Sequence, residues 1–250
     1  MDYRQRFFDR YFSTHIAHRD GVTTLAQLRQ RAAYYQQRWR MFFPADRSAR
    51  ILDIGCGTGG LVWWLQQSGY RNVEGIDISE EQVNEALRIG VNNVRHADLR
   101  SYLIERHECY DAIVMRDVVE HFTKEEILGI LDHCYRALRP GGRLIVQVPN
   151  AESPFFGRIR YGDFTHELAF SITSLQQLFA VTGFASVTLH PTEPGITGLR
   201  STLRYILWKL VAAFYQLLLF AELGPGKRIV TQGIIAVAVR GCTLQEFRSA

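Results

Sequence analysis

Two short stretches of this chain hold residue types that move protons. "RYGDFTHE" carries His166 with Asp163 and Glu167 close by. An imidazole titrates near neutral pH, so His166 is suited to take a proton from a hydroxyl nucleophile while one of those carboxylates orients the ring. "RDVVEHF" carries Asp117, Glu120 and His121 at i, i+3 and i+4, a spacing that puts all three on one face of a helical turn, where they can bind a divalent metal or orient a substrate. A third stretch, "ILDIGCGTGG" at residues 51–60, supplies backbone rather than proton chemistry. Its Gly55, Gly57 and Gly60 follow the spacing of a turn that lets a ligand approach the chain at a helix N-terminus. Asp53 stands just ahead of the first glycine. A carboxylate there would repel a pyrophosphate and attract a cation.

These groups need a scaffold, and the chain alternates in a way that provides one. "RILDIG", "NVEGIDI", "NVRHA", "YDAIVM", "RLIVQV", "ASVTLH" and "GIIAVAV" read as strands. "EEQVNEALRIG", "KEEILGILDHCYRAL" and "SLQQLFAVTG" read as helices between them. Such alternation builds βαβ units and a largely parallel sheet, an α/β architecture. A helical segment over residues 1–48, broken at Asp20-Gly21 and closed by Pro44, precedes the cofactor-binding core at 49–190. Two connections exceed what a sheet needs: 150–172, the expected acceptor loop, and 191–232, a hydrophobic helical insertion before the last strand at 233–240. Capping-box spacings at Thr173–Gln176 and Ser174–Gln177 place a helix start just beyond the first of them.

S-adenosylmethionine joins adenosine to a sulfonium and an ammonium and has no phosphate, so an acid beside a glycine turn suits it better than it suits NAD. "ILDIGCGTGG" resembles the first motif of class I S-adenosylmethionine-dependent methyltransferases, and later residues resemble that family in order over roughly residues 50–185. The resemblance implies a Rossmann-like seven-stranded sheet, mostly parallel, with an antiparallel last strand. It also implies cofactor contacts from Asp53, Gly55, Gly57 and Gly59, from Asp77 and Ile78 after "VEG", from Asp98 and Leu99 in "RHADL", and from Met115 at the end of the fourth strand. Asp77 would accept the ribose hydroxyls and Asp98 the adenine amino group. "RDVVEHF" is similar to ubiquinone-biosynthetic O-methyltransferases, which implies metal assistance through Asp117, Glu120 and His121 and a phenolic acceptor. "VPNAESPFFGRIRYGDFTHELAFSITSL" resembles bacterial O-methyltransferases that accompany surface-polysaccharide biosynthesis, which implies a saccharide or lipid-linked glycan hydroxyl as acceptor. His166 would be its general base, and Phe155, Phe156, Tyr161 and Phe164 would stack on the sugar or pack the loop. Of these, the saccharide acceptor without a metal is the expectation; an NAD-dependent oxidoreductase is the rival from another class.

Charge and hydropathy bound the partners. Residues 1–50 hold ten Arg against four Asp, so the net charge of +4 is regional. No recognition motif accompanies it, and nucleic acid is not an expected partner. Four widely spaced cysteines and an N-terminus without an apolar run point to the cytoplasm. Tyr205–Leu223 is almost wholly apolar and approaches the ~20 residues that cross a bilayer. The chain must return to add "GIIAVAV" to the same sheet, so the segment 200–223 reads instead as core, homodimer contact or interfacial membrane helix. In the last case Arg200, Arg204, Lys227 and Arg228 would meet head groups at the cytoplasmic face.

Overall fold

The computed structural model describes residues 3–21, 23–226 and 228–242. The chain opens with α1 (Tyr3–Phe8), a π-helical turn (Phe12–Ile16), α2 (Ala17–Asp20) and α3 (Leu25–Arg38). The sheet then alternates with helices: β1 (Arg50–Ile54), α4 (Gly60–Gln67), β2 (Asn72–Asp77), α5 (Glu80–Arg88), β3 (Val94–His96), α6 (Leu99–Leu103), β4 (Tyr110–Arg116), α7 (Lys124–Ala137), β5 (Leu138–Pro149), α8 (Phe156–Arg160), α9 (Ile172–Val181), β6 (Ser186–Pro191), α10 (Leu199–Leu223) and β7 (Gly233–Val239).

The seven strands lie in the order β3-β2-β1-β4-β5-β7-β6. β1 to β5 run parallel, and β7 runs antiparallel to both β5 and β6. The expected sheet is present, with its reversed last strand slotted inside the edge.

Both faces of the sheet are covered, which is why its central strands read as unbroken apolar runs. Side chains alternate across each strand. Ile51, Ala112 and Val114 pack with Leu28, Tyr35, Trp39 and Trp64 of α3, its C-terminal end and α4. Leu52, Ile54, Ile113 and Met115 pack with Ile127, Leu131 and Cys134 of α7. At the C-terminal edge of the parallel strands, α5 and α7 begin, and the N-terminal segment bridges them. Ser13 bonds Glu81 of α5 through its backbone N–H and its hydroxyl, at 2.9 and 3.0 Å. Arg4 forks onto Glu126 of α7 at 2.6 and 2.8 Å. The segment thereby roofs the edge where open α/β sheets bind ligands.

Helix starts are set by side-chain caps. Thr24 with Gln27 and Thr123 with Glu126 form capping boxes for α3 and α7. The helix after the long loop begins two residues earlier than the Thr173–Gln176 spacing implies. Ser171 is its cap and Ser174 closes the box, because a short hydroxyl side chain at that position also reaches the orphan N–H.

α10 is a 25-residue helix whose single buried residue is Ala212. That removes core packing as the reason for its hydrophobicity. It is fastened at its root, where Glu193 receives Arg38 of α3 at 3.1 Å, Tyr205 at 3.2 Å and Lys209 at 2.7 Å.

Candidate active site

A cavity of about 1060 Å³ opens at the roofed edge of the sheet. The glycine turn after β1, the segment after β4, the loop after β5, the N-terminal segment and the root of α10 all line it. Its size is that of a site for two small molecules side by side.

The turn is made by backbone. Gly55, Gly57 and Gly59 have φ of +67°, +55° and +74°, in the left-handed region that side chains rarely adopt. At Gly55 a Cβ would also lie 2.3 Å from Val118 Cγ2. Gly55, Cys56, Gly57, Thr58 and Gly60 line the cavity, whereas Gly59 serves as the cap residue that launches α4. Asp77 ties the turn to the end of β2: its two oxygens accept from Gly57 N at 2.7 Å and Ser79 N at 2.8 Å. Asp53 lies buried below the turn. Burial pushes its carboxyl up to about 7 against the pull of Arg116, with Asp77 adding to the rise.

Asp53 and Asp77 stand behind the cavity lining, and four further residues expected at the cofactor also stand outside it. Ile78 offers its carbonyl to His96 Nε2 at 3.0 Å. Asp98 caps α6 by accepting from Arg100 N and Ser101 N, a bond worth ~1 kcal/mol in typical helices. Leu99 is core. Met115 is the clearest correction. It is fully buried toward α7, with Cys134 Sγ at 3.9 Å from its sulfur. Strand alternation turns the next residue, Arg116, to the cavity side, where it donates to Tyr35 Oη at 2.6 Å.

The second wall is made by side chains. Asp117 does not share a helical face with Glu120 and His121. It takes a left-handed φ of +57°, its carboxylate accepts from Gln147 Nε2 at 2.9 and 3.0 Å, and a single 3-10 turn, Val119–His121, follows. The group that does assemble is Glu120, His121 and His166, whose ligand atoms lie within 4.8 Å of one another. The loop carrying His166 is fixed to it by backbone, since Glu167 N and Leu168 N both donate to Glu120 O.

Hydrogen bonds set the state of each ring. Thr165 Oγ1 donates to Asp163 at 2.7 Å, so it accepts from His121 Nδ1 at 2.8 Å. Asp163 is therefore hydrogen-bonded toward His121 through Thr165, and it acts on His166 through its charge alone. His166 Nδ1 donates to the Ile159 carbonyl at 3.0 Å, leaving the lone pair on Nε2, which lies 4.0 Å from Glu120 Oε1. Glu167 instead accepts from Tyr3.

Electrostatics follow from burial. Desolvation, with His166 alongside, lowers His121 to about 4, and desolvation lowers His166 as well, so both rings are neutral. Burial, reinforced by Asp117, raises Glu120 well above the usual carboxylate range, and its Oε2 is buried without a partner. Burial alone would raise Asp163 too, but donation from Tyr11 and Thr165 outweighs it and holds the carboxyl at about 2.

Tyr11 and His15, which line the cavity beside Asp163, were not legible as site residues. Their aromatic spacing reads only as a helix face. Of the four aromatics expected on a sugar, Phe155 lines the cavity, while Tyr161 and Phe164 are 78% and 76% exposed and Phe164 stacks on Phe7.

Residues 26–189 match the sequence family described as a methyltransferase domain. A ubiquinone biosynthesis O-methyltransferase of Xylella fastidiosa is 35% identical over 107 residues, which is 41% of this chain and 42% of that protein. Phosphoethanolamine N-methyltransferase of Plasmodium falciparum is 29% identical over 104 residues, 40% of this chain and 39% of that protein. The chain thus spans about two fifths of the length of these curated relatives. Among solved structures, a SAM-dependent methyltransferase from Archaeoglobus fulgidus superposes with a TM-score of 0.64 at 20% identity, covering 95% of this chain and all of that one. Phosphoethanolamine N-methyltransferase 2 of Haemonchus contortus, in complex with S-adenosyl-L-methionine, gives 0.61 at 18% identity, covering 94% and 60%.

Proposed function

The chain belongs to the methyltransferase-domain family, and from that premise we propose that it transfers the methyl group of S-adenosylmethionine to a hydroxyl oxygen held between Glu120 and His166. The observation that carries this reading is the 4.0 Å separation of His166 Nε2 and Glu120 Oε1 in the wall of the same cavity that the glycine turn lines. It is too long for a hydrogen bond and wide enough for one oxygen to bridge the two.

The glycine turn and Asp77 would hold the cofactor above Asp53, whose raised carboxyl a bound cation would draw toward its charged form. The hydroxyl oxygen attacks the methyl carbon in line, the carbon–sulfur bond breaks, and S-adenosylhomocysteine leaves with the electron pair on sulfur. The hydroxyl proton passes to His166 Nε2, which burial keeps neutral and ready to accept it. His121, held by Thr165 and Asp163, orients the acceptor. The roof of Tyr11 and its neighbours excludes water.

The same three side chains fit a divalent cation, since the buried Glu120 Oε2 lacks a partner and His166 presents a lone pair. Glu120, His121 and His166 would hold it, and when bound it would lower the pKa of the acceptor hydroxyl.

The similarity to ubiquinone biosynthesis O-methyltransferases supports a phenolic acceptor. The saccharide acceptor expected from the acceptor loop has weaker support, because the aromatics that would stack on it do not gather in the cavity. A screen of quinone precursors, sugars, lipid-linked glycans and amines for release of S-adenosylhomocysteine tests the reading. An O-methyl ether is the expected product; methylation confined to nitrogen would overturn it.

A further inference from the structure

We propose that α10 lies in the surface of an anionic phospholipid bilayer and docks the protein there with its active-site cavity facing the lipid. The helix is 25 residues long, about 37 Å, and 6% of its most apolar window is buried. Its outward residues Leu203, Leu207, Leu210, Phe214 and Leu217 are each more than half exposed and follow one another at spacings of four and three. Water gains nothing from such a stripe, and a monomer rarely leaves one this long uncovered.

Crossing the bilayer is excluded by the chain itself. Nine residues separate Leu223 from Gly233. Returning across ~30 Å of hydrocarbon would need all of them extended, with their backbone groups unpaired in lipid.

Charge selects the occupant. The 191–232 segment carries five cations, Arg200, Arg204, Lys209, Lys227 and Arg228, against Glu193 and Glu222. Lys209 is engaged with Glu193 at the root, and Lys227 lies outside the described residues. Arg200 and Arg204 stand on the first turns of the helix, and Arg228, which donates to the Gly224 carbonyl, stands just past its end. The segment stays net cationic with Glu193 and Glu222 counted, so pairing two copies of this chain brings like net charge together. Anionic head groups offset that net positive charge instead.

The cavity supplies an independent reason. Arg204 and Trp208 of α10 line the cavity, so the apolar helix adjoins the site. Given the hydroxyl-methylating reading on which this part rests, the acceptor enters from the bilayer, either itself a lipid or attached to one.

Flotation of the full chain with vesicles of phosphatidylglycerol and phosphatidylcholine, against vesicles of phosphatidylcholine alone, tests the proposal. The protein is expected to rise with the anionic vesicles, less so at high salt, and Leu207→Glu with Leu210→Glu is expected to reduce the bound fraction at least tenfold. Calorimetry with S-adenosylhomocysteine checks that this variant still folds and binds cofactor as the parent does. Protein left entirely in the soluble fraction, or flotation undiminished in the variant, overturns the proposal, as does a dimer in light scattering that the same substitutions dissolve. Flotation without any cofactor binding supports the docking helix and overturns the methyl-transfer reading instead.

Discussion

The glycine turn and the histidine cluster line one cavity, yet they are built by opposite means. The turn is five consecutive residues, Gly55–Gly59, whose backbone does the work, and Gly55, Gly57 and Gly59 are there because φ is positive. The cluster draws Glu120 and His121 from one segment and His166 from another some 45 positions away, and its properties come from buried side chains that share one desolvated space. A site fixed by local backbone geometry tolerates little change in shape. A site fixed by buried polar side chains tolerates little change in chemistry.

The largest effect expected follows from that difference. His166→Ala should lower turnover on the identified acceptor by about 10²- to 10⁴-fold, the usual range for a lost general base, with affinity for S-adenosylhomocysteine unchanged by calorimetry. Unchanged turnover would remove His166 as the base. Gly55→Ala should do the reverse: cofactor affinity falls at least tenfold, because the new methyl group meets Val118 at a position strained by about 1–3 kcal/mol. Pairing it with Val118→Ala should recover part of the affinity, and no recovery would mean that the strain, not the contact, dominates.

That contrast also explains what the sequence could and could not disclose. The strands, the reversed last strand expected from the family resemblance, and the glycine turn depend on short-range pattern, and they were legible. Met115 was misplaced because a motif position does not reveal which side of the strand a side chain takes; alternation gave the cavity Arg116 instead. Asp117 was misgrouped because i, i+3, i+4 spacing presumes a helix, and the chain makes a left-handed step there. Thr165, which fixes the His121 ring, and Tyr11, which reaches Asp163 from the roof, enter by long-range packing and left no local signal.

A smaller effect probes the relay. Thr165→Val keeps the shape but removes the hydroxyl between Asp163 and His121. Turnover should fall by roughly tenfold, as for outer partners that orient a working ring, and Thr165→Ser should restore most of it. Equal loss in both variants would point to packing alone.

The smallest effect concerns the roof. Arg4 holds Glu126 at about 2, far below its ordinary 4.5, with Thr123 assisting. A depressed carboxylate stabilises the fold above its unfolded value and loses that contribution as pH falls. Glu126→Gln should therefore lower the melting temperature by a few degrees near neutral pH, a shift of the kind that about 1 kcal/mol gives in a domain of this size. The gap between variant and parent should close as pH drops from 4.5 toward 2. A gap independent of pH would assign the loss to packing.

One titration addresses the cofactor directly: calorimetry of the full chain with S-adenosylhomocysteine and, separately, with NAD. The expected result is one molecule of S-adenosylhomocysteine bound per chain, equally by the parent and His166→Ala and more weakly by Gly55→Ala, with no heat from NAD. Binding of NAD with none of S-adenosylhomocysteine would contradict the assignment of the glycine turn and the methyl transfer built upon it.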